Sequence, residues 1–288
     1  MPAAPPAHTE KRDPMALMRD EMRVSYGPVG DMIGEVKVRD GAWRMEGDEL
    51  LLRASGLAMR YRKGQGVTIE CDPAVRSSTE QLYLNGTVYA AAACINGLYP
   101  LHASAVAWNG GVHAFTGPGG AGKSTLVAAL GAAGLPMFCD DTLILDLSDP
   151  DIPLALPGHK RLKLTPAALS LTGAEAQEQV DDEIDKFYAL PAGGDWREPL
   201  PLKQLVFLEE DDCIGAFPIT GAEKIARLSD DHYTAELFLW ANGMDSAHRF
   251  AAQSRLARQI TMSRLVRPRD IDRFDDSVTL ARKLILEQ

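Results

Sequence analysis

A run of nine residues near the middle of the chain has the composition and spacing of a phosphate-binding loop. It fits the pattern G-x-x-x-x-G-K-[ST], with one further threonine. The residues are Gly117, Pro118, Gly119, Gly120, Ala121, Gly122, Lys123, Ser124 and Thr125. Glycines let successive backbone N–H groups turn toward a phosphate at positions where a Cβ would collide. In such loops the lysine reaches the β- and γ-phosphates and the serine hydroxyl ligates Mg²⁺, so the run predicts a site for Mg²⁺ and a nucleotide, with ATP as the expected donor.

The elements on either side of this loop have the order that a P-loop needs. Residues 112–116 have the apolar pattern of a short buried strand, and residues 123–133 have apolar side chains at helical spacing before Gly134. The loop would therefore open a helix, whose N-terminus adds partial positive charge beside a bound phosphate.

Two acidic residues follow the loop at a position that suits phosphoryl transfer. Asp140 and Asp141 end the first strand expected after the P-loop helix, 17 residues beyond Lys123, and we expect this strand to lie beside the P-loop strand. One carboxylate can hold Mg²⁺ while another accepts the proton of an attacking hydroxyl. Because adjacent residues of a strand face opposite ways, the pair is better suited to two separate roles than to one shared role. A solvated turn is the alternative interpretation.

A histidine precedes the loop at a distance that a hairpin would close. His102 lies 21 residues before Lys123, on a strand predicted over residues 101–108. The turn at residues 109–111 would pair this strand with the P-loop strand and bring the imidazole close to the phosphates. A histidine packed in the core is the alternative, because spacing alone does not distinguish the two.

The composition argues against several classes of function. The 288-residue chain has 40 acidic and 30 basic residues, and its net charge of −10 argues against a nucleic-acid partner. Its four cysteines are scattered without a C-x-x-C pair, which argues against a zinc site or disulfides and predicts reduced thiols in the cytoplasm. No apolar run is long enough to span a membrane, so no membrane partner is predicted, and the sequence leaves homo-oligomer formation open.

The pattern of strands and helices predicts an α/β fold in three parts. Residues 1–14 begin with a Pro- and Ala-rich run and are expected to be a disordered tail. Short apolar runs between turns predict a small, strand-rich antiparallel region over residues 15–84. Helices and strands over residues 85–288 predict a P-loop domain with a mixed sheet and flanking helices.

The ordered set of motifs resembles the HPr kinase/phosphorylase-like family. The set consists of His102 followed by Ala-Ser-Ala-Val, then the P-loop at residues 117–125, then Asp140 and Asp141. It is most similar to the branch of HPr kinase-like enzymes found with lasso-peptide biosynthesis, which phosphorylate the C-terminal Ser of a precursor peptide. The likeness is good over roughly residues 85–190 and loose elsewhere, and it implies an HPr kinase-like P-loop fold.

The resemblance also implies a role for each site residue. His102 would lie beside the reacting phosphate and the acidic pair, while Lys123 and the loop amides would bind the β- and γ-phosphates. Ser124 and Asp141 would ligate Mg²⁺, and Asp140 would be the general base for the acceptor hydroxyl. The segment over residues 159–164 and Lys186 are also similar to these relatives. One of their cations would neutralise transition-state charge or hold an acidic peptide, the alternative being solvated surface cations. The candidates for substrate contact are Lys160, Arg161 and Lys186.

One departure from the family narrows the expected substrate. HPr kinases carry a second signature of the type Glu-x-Arg-Gly-Leu-Gly after the Asp pair, and this chain has none, which argues against HPr as the acceptor. We therefore expect an Mg²⁺- and ATP-dependent kinase whose partner is a peptide or small protein with a Ser hydroxyl. The C-terminal Ser of a lasso-peptide precursor is the leading candidate. A kinase of a small hydroxylated metabolite and a regulatory nucleotide-binding NTPase are the alternatives.

Overall fold

The computed structural model of the chain describes residues 13–229, 235–241 and 246–287. Within those ranges no helix is both long and apolar enough to cross a membrane. The tail predicted over residues 1–14 lies outside the described part except for its last two residues. Pro14 begins the first helix, α1 (Pro14–Glu21), and Asp13 caps it by accepting a hydrogen bond from the N–H of Met15.

Residues 24–71 contain the strand-rich region that the sequence predicts. Its strands are β1 (Val24–Tyr26), β2 (Met32–Ile33), β3 (Val36–Lys37), β4 (Ala42–Glu46), β5 (Glu49–Ala54), β6 (Leu57–Arg62) and β7 (Gly66–Cys71). Strands β4 to β7 run antiparallel, as predicted, in a sheet of order β1-β7-β6-β5-β4, while β2 pairs with β3. β1 was not predicted, because three residues are too few for an alternating pattern to be recognised; it pairs parallel to β7.

A helical segment over residues 77–95 joins this sheet to the rest of the chain. It comprises α2 (Ser77–Tyr83), a π-helical turn (Leu84–Val88) and α3 (Tyr89–Ile95). The boundary predicted between residues 84 and 85 falls inside this segment. One hydrophobic core contains Met59 of the small sheet, Ala91 of α3 and Ala105 of the larger sheet described next, so the two regions share buried apolar surface.

The remaining described residues form a mixed α/β unit. Its helices are α4 (Lys123–Ala132), α5 (Pro166–Thr172), α6 (Ala222–Ser229), α7 (Ala235–Trp240), α8 (Ser246–Gln259) and α9 (Phe274–Leu286). Its strands are β8 (Tyr99–Leu101), β9 (Ala103–Trp108), β10 (Gly111–Thr116), β11 (Met137–Cys139), β12 (Leu143–Asp146), β13 (Leu154–Leu156), β14 (Leu162–Leu164), β15 (Ala176–Asp181), β16 (Ile184–Ala189), β17 (Leu200–Glu210), β18 (Gly215–Pro218) and β19 (Thr261–Arg267).

The larger sheet is mixed, and the strand that precedes the P-loop, β10, is one of its interior strands. The described strands have the order β11-β9-β10-β17-β13-β12-β8, and β19 pairs with both β17 and β18. β10, β17 and β19 are parallel to one another, whereas β9 runs antiparallel to β10 as the predicted hairpin. Ala114 and Phe115 of β10 belong to different core clusters, so this strand is buried on both faces, which accounts for its apolar run.

The position of β11 differs from the prediction. We expected the strand before Asp140 to lie beside the P-loop strand, but β9 lies between them and pairs with both. The expectation is wrong because the β9–β10 hairpin occupies that side of β10. Residues 162–189 add a separate three-stranded sheet of order β14-β16-β15, whose acidic outer strand has too few apolar residues to be predicted.

Candidate active site

The predicted phosphate-binding loop, which we continue to call the P-loop, leads from β10 into α4, and its backbone depends on glycine at both ends. Gly122 precedes the first turn of α4 with a φ of +83°, and Gly117 has a φ of +146°. A Cβ at Gly117 would lie 2.9 Å from the carbonyl oxygen of Leu208 on the neighbouring strand β17. The loop can therefore follow this path only without a side chain at Gly117.

Lys123 lies over the carbonyl groups of its own loop. Its Nζ donates to the carbonyl oxygens of Gly117 at 2.8 Å and Pro118 at 3.2 Å, and the residue is only 7% exposed. The ammonium is therefore held inside the loop, on the side where the sequence predicts the phosphates.

Asp140 is tied to the P-loop. Its Oδ1 accepts hydrogen bonds from the hydroxyl of Ser124 at 2.8 Å and from that of Ser104 on β9 at 2.5 Å. Its Oδ2 accepts from the backbone N–H of Lys163 at 3.0 Å. A P-loop hydroxyl beside a buried carboxylate is the oxygen pair that holds Mg²⁺ in P-loop enzymes, so Ser124 and Asp140 fit this ion.

Asp141 faces a different set of partners. Its Oδ2 accepts a hydrogen bond from Nζ of Lys163 at 2.6 Å, and its carbonyl oxygen lies 2.9 Å from Nδ1 of His102. Nδ1 is also 3.6 Å from Oδ1 of Asp141. Burial works to raise the pKa of this carboxyl, but the charge and hydrogen bond of Lys163, the neighbouring imidazole of His102 and the charge of Lys186 outweigh it and hold the pKa below its usual value. Asp141 is therefore a carboxylate at neutral pH.

The two aspartates are separated by a turn and not by strand alternation. β11 ends at Cys139, and Asp141 has a left-handed φ of +71°, which is uncommon for a residue other than glycine. The two carboxylates therefore face different partners, as expected, but the cause is the turn after β11 and not the alternation of side chains along a strand. The predicted strand over residues 101–108 is likewise interrupted at His102, between β8 and β9, which pair with different strands.

The three cations expected near the substrate have different surroundings. Nζ of Lys160 donates to the carbonyl oxygen of Phe138, and burial lowers its pKa to about 8. Arg161 donates to Gln81 at 3.0 Å and to Glu178 at 2.7 Å. Among the described residues, no hydrogen bond or ion pair engages the ammonium of Lys186, which is close enough to Asp141 to lower its pKa. Lys160 and Arg161 thus have internal partners, whereas Lys186 has none within the described ranges.

Sequence reasoning missed three residues of this site. Ser104 had a signal, since it lies two positions after His102 and so shares a face with it along an extended chain. Lys163 lies in the segment 159–164 that resembles the family, but nothing in the sequence distinguished it from the cations beside it, and Arg267 had no local signal. Lys163 comes from the separate three-stranded sheet, and Nη2 of Arg267, at the end of β19, donates to the carbonyl oxygen of Ala121 at 2.7 Å.

Comparison with solved structures gives a distant likeness. No protein-family model matches the chain, and no curated protein matches it. A solved structure of an HPr(Ser) kinase/phosphatase from Coxiella burnetii is similar with a TM-score of 0.33 and 11% sequence identity, over 66% of this chain and 99% of that chain. Membership of the HPr kinase/phosphorylase-like family, and of its lasso-peptide branch, stays a prediction.

Proposed function

We propose that the protein is an Mg²⁺-dependent kinase that transfers the γ-phosphate of ATP to a Ser hydroxyl of a peptide or small protein. The observation that carries the proposal is the pair of carboxylates beside the P-loop. Asp140 accepts a hydrogen bond from Ser124, and Asp141 accepts one from Lys163. A loop that only binds a nucleotide needs no carboxylate beyond the one at the metal. The second one, Asp141, is held ionised by neighbouring cations, and an acceptor hydroxyl is its natural partner.

The contacts support an exchange of the roles that the family resemblance implies for the aspartates. We assign Asp140 to Mg²⁺ together with Ser124, because these two side chains share a hydrogen bond. Asp141 becomes the base that orients the acceptor hydroxyl. Mg²⁺ would supply charge neutralisation at the β- and γ-phosphates.

The transfer itself is an in-line displacement. The acceptor oxygen bonds to the γ-phosphorus as the bond to the β,γ-bridging oxygen breaks, ADP leaves, and the hydroxyl proton passes to Asp141. Lys123 and the loop amides stabilise the charge on the phosphoryl oxygens. His102 holds the Asp141 turn through its carbonyl oxygen, and Lys163 holds the carboxylate.

Ser124→Ala should raise the Mg²⁺ concentration needed for half-maximal transfer by about tenfold, because the metal loses one oxygen ligand. The measurement is an Mg²⁺ titration of transfer at fixed ATP. Ser124→Thr is the matched control, since it keeps a hydroxyl and the loop pattern accepts either residue. Identical titrations for the alanine variant and the wild type would contradict the metal assignment.

The acceptor is proposed to be a Ser at a peptide C-terminus, where Lys186 would meet the terminal carboxylate. The test is mass spectrometry of phosphate transfer to four acceptors: a peptide ending in Ser, its amidated form, the same peptide ending in Ala, and HPr. We expect phosphate on the first peptide, less on the amidated form and none at the Ala terminus. Phosphate on HPr but on no peptide would refute the peptide part, and ATP hydrolysis without transfer to any acceptor would favour the regulatory NTPase.

A variant of Lys186 tests the carboxylate contact directly. Lys186→Ala should raise the KM for the free-acid peptide by about tenfold and leave that for the amidated peptide unchanged, because only the free acid carries the charge. Lys283→Ala, an equal charge change on exposed α9, is the control. If Lys186→Ala affects both peptides equally, the cation does not recognise the terminus.

A further inference from the structure

A cleft of about 590 Å³ lies beside the P-loop, and apart from the loop itself its lining has no role in the transfer step described above. It is bordered by the loop at Gly120–Gly122, by Thr125 of α4 and by the connection from β19 to α9. Part of the larger sheet has the strand order β11-β9-β10-β17-β19. The side chains of this sheet that contact the two aspartates lie on β9 or next to it, on one side of β10. The cleft is lined by the ends of β17 and β19, on the other side of β10. The cleft is therefore on the other side of the loop from Asp141.

The sheet topology favours ligand binding at the edge of the sheet where the cleft lies. β10, β17 and β19 are parallel, so their carboxyl ends lie along the same edge. In open α/β sheets ligands bind outside the carboxyl ends of the strands. A nucleotide whose γ-phosphate lies toward Ser124 and Asp140 has its nucleoside on the opposite side of the loop, which is where the cleft is.

Arg267 places a positive charge where the cleft meets the loop, because its Nη2 lies 2.7 Å from the carbonyl oxygen of Ala121. Arg267 is partly buried, and burial followed by the repulsion of Arg269 lowers the pKa of its guanidinium. The three carboxylates that line the cleft have other partners: Glu209 pairs with Arg227 at 2.6 Å, Glu210 pairs with Arg269 at 2.6 Å, and Asp270 accepts a hydrogen bond from the N–H of Asp272 at 3.0 Å. In the part of the chain that the structure describes, no carboxylate pairs with Arg267. A partly buried cation without a counter-ion, beside a phosphate loop, is stabilised when a phosphate arrives.

The outer wall of the cleft is apolar. Ile271 is 63% exposed, and Leu171 and Phe274 also line the space. An aliphatic side chain left so exposed gains stability when a flat base covers it.

We infer that this cleft binds the nucleoside of the donor nucleotide, with the base against Ile271 and the phosphate end of the nucleoside near Arg267. The inference rests on the proposed function, since it names where the ATP of that reaction would lie.

The test compares Mg²⁺–ATP with Mg²⁺–tripolyphosphate, which has the phosphates without the nucleoside, by titration calorimetry. Ile271→Ala should weaken ATP binding by about five- to tenfold, the effect of losing part of one apolar contact, and leave tripolyphosphate binding unchanged. Ile152→Ala is the matched control, because Ile152 is also exposed, at 44%, and does not line the cleft.

The outcomes separate the inference from the proposed function. A wild-type protein that binds both ligands and an Ile271→Ala variant with unchanged ATP affinity, or with equal losses for both ligands, would refute the nucleoside site and leave the kinase proposal intact. A wild-type protein that binds neither ligand would overturn both. Because Ile271 is largely exposed, a melting temperature equal to that of the wild type is expected for the variant.

Discussion

Lys123→Ala is expected to reduce phosphoryl transfer by about 10³-fold or more, because the γ-phosphate loses its main cationic contact as negative charge redistributes in the transition state. The ammonium is already inside the loop, within hydrogen-bond distance of the carbonyl oxygens of Gly117 and Pro118. The measurement is the single-turnover rate of transfer at saturating ATP, so that weaker nucleotide binding is not mistaken for slower chemistry.

The control for the loss of a positive charge in Lys123→Ala is a second lysine, Lys203, on the strand next to β10. Lys203 is exposed near the start of β17, at the opposite end of β10 from the P-loop, and Lys203→Ala should transfer phosphate at the wild-type rate. Melting temperatures of both variants show whether the loop carbonyls that Lys123 contacts also contribute to stability. Near-normal turnover of Lys123→Ala at saturating ATP would overturn the assignment of the loop.

The two aspartate variants are expected to fail in different ways. Asp141→Asn should lower the rate of transfer by about 10²- to 10⁴-fold and leave Mg²⁺ and ATP binding unchanged, because an amide does not accept the hydroxyl proton. Asp140→Asn should instead raise the Mg²⁺ requirement, because its carboxylate is the one that contacts Ser124. Transfer rates at saturating and at limiting Mg²⁺ distinguish the two.

The Asp141 experiment needs a correction for the charge that it leaves behind. Asp141→Asn removes the anionic partner of Lys163, and an unpaired, partly buried ammonium destabilises the fold. The double variant Asp141→Asn with Lys163→Met removes both charges and should recover stability without recovering transfer. If Asp140→Asn loses transfer with normal Mg²⁺ dependence while Asp141→Asn needs more Mg²⁺, the roles implied by the family resemblance are correct.

The sequence predicted those parts of the site that are encoded in consecutive residues. The strand, glycine loop and helix around Lys123 depend on local backbone requirements, and the hairpin that leads to His102 depends on one tight turn. The placement of β11 was wrong because pairing between strands distant in sequence depends on which edge is already occupied, and β9 occupies it. Apolar patterns identify strands but contain no information on their order in a sheet.

The contacts that distinguish the two aspartates could not be predicted from the sequence either, because they also join distant parts of the chain. Strand alternation assumes that Asp140 and Asp141 belong to β11, but the strand ends before them and Asp141 adopts a left-handed turn. Their partners are separated from them by tens of residues: Ser104 precedes Asp140 by 36 residues and Lys163 follows it by 23. Only the folded arrangement of β9, β11 and β14 brings these groups together.

Lys163 contacts both aspartates, and this double contact constrains the number of residues between Asp141 and Lys163 in evolution and in engineering. Its backbone N–H binds Asp140 while its ammonium binds Asp141, so one position of β14 serves both carboxylates. A one-residue insertion or deletion between Asp141 and Lys163 that shifts β14 by one position would put a leucine there and turn the lysine to the other face. Homologues that keep this chemistry should therefore tolerate many substitutions between these two residues but few changes in their spacing, and grafts of the site should carry the whole segment.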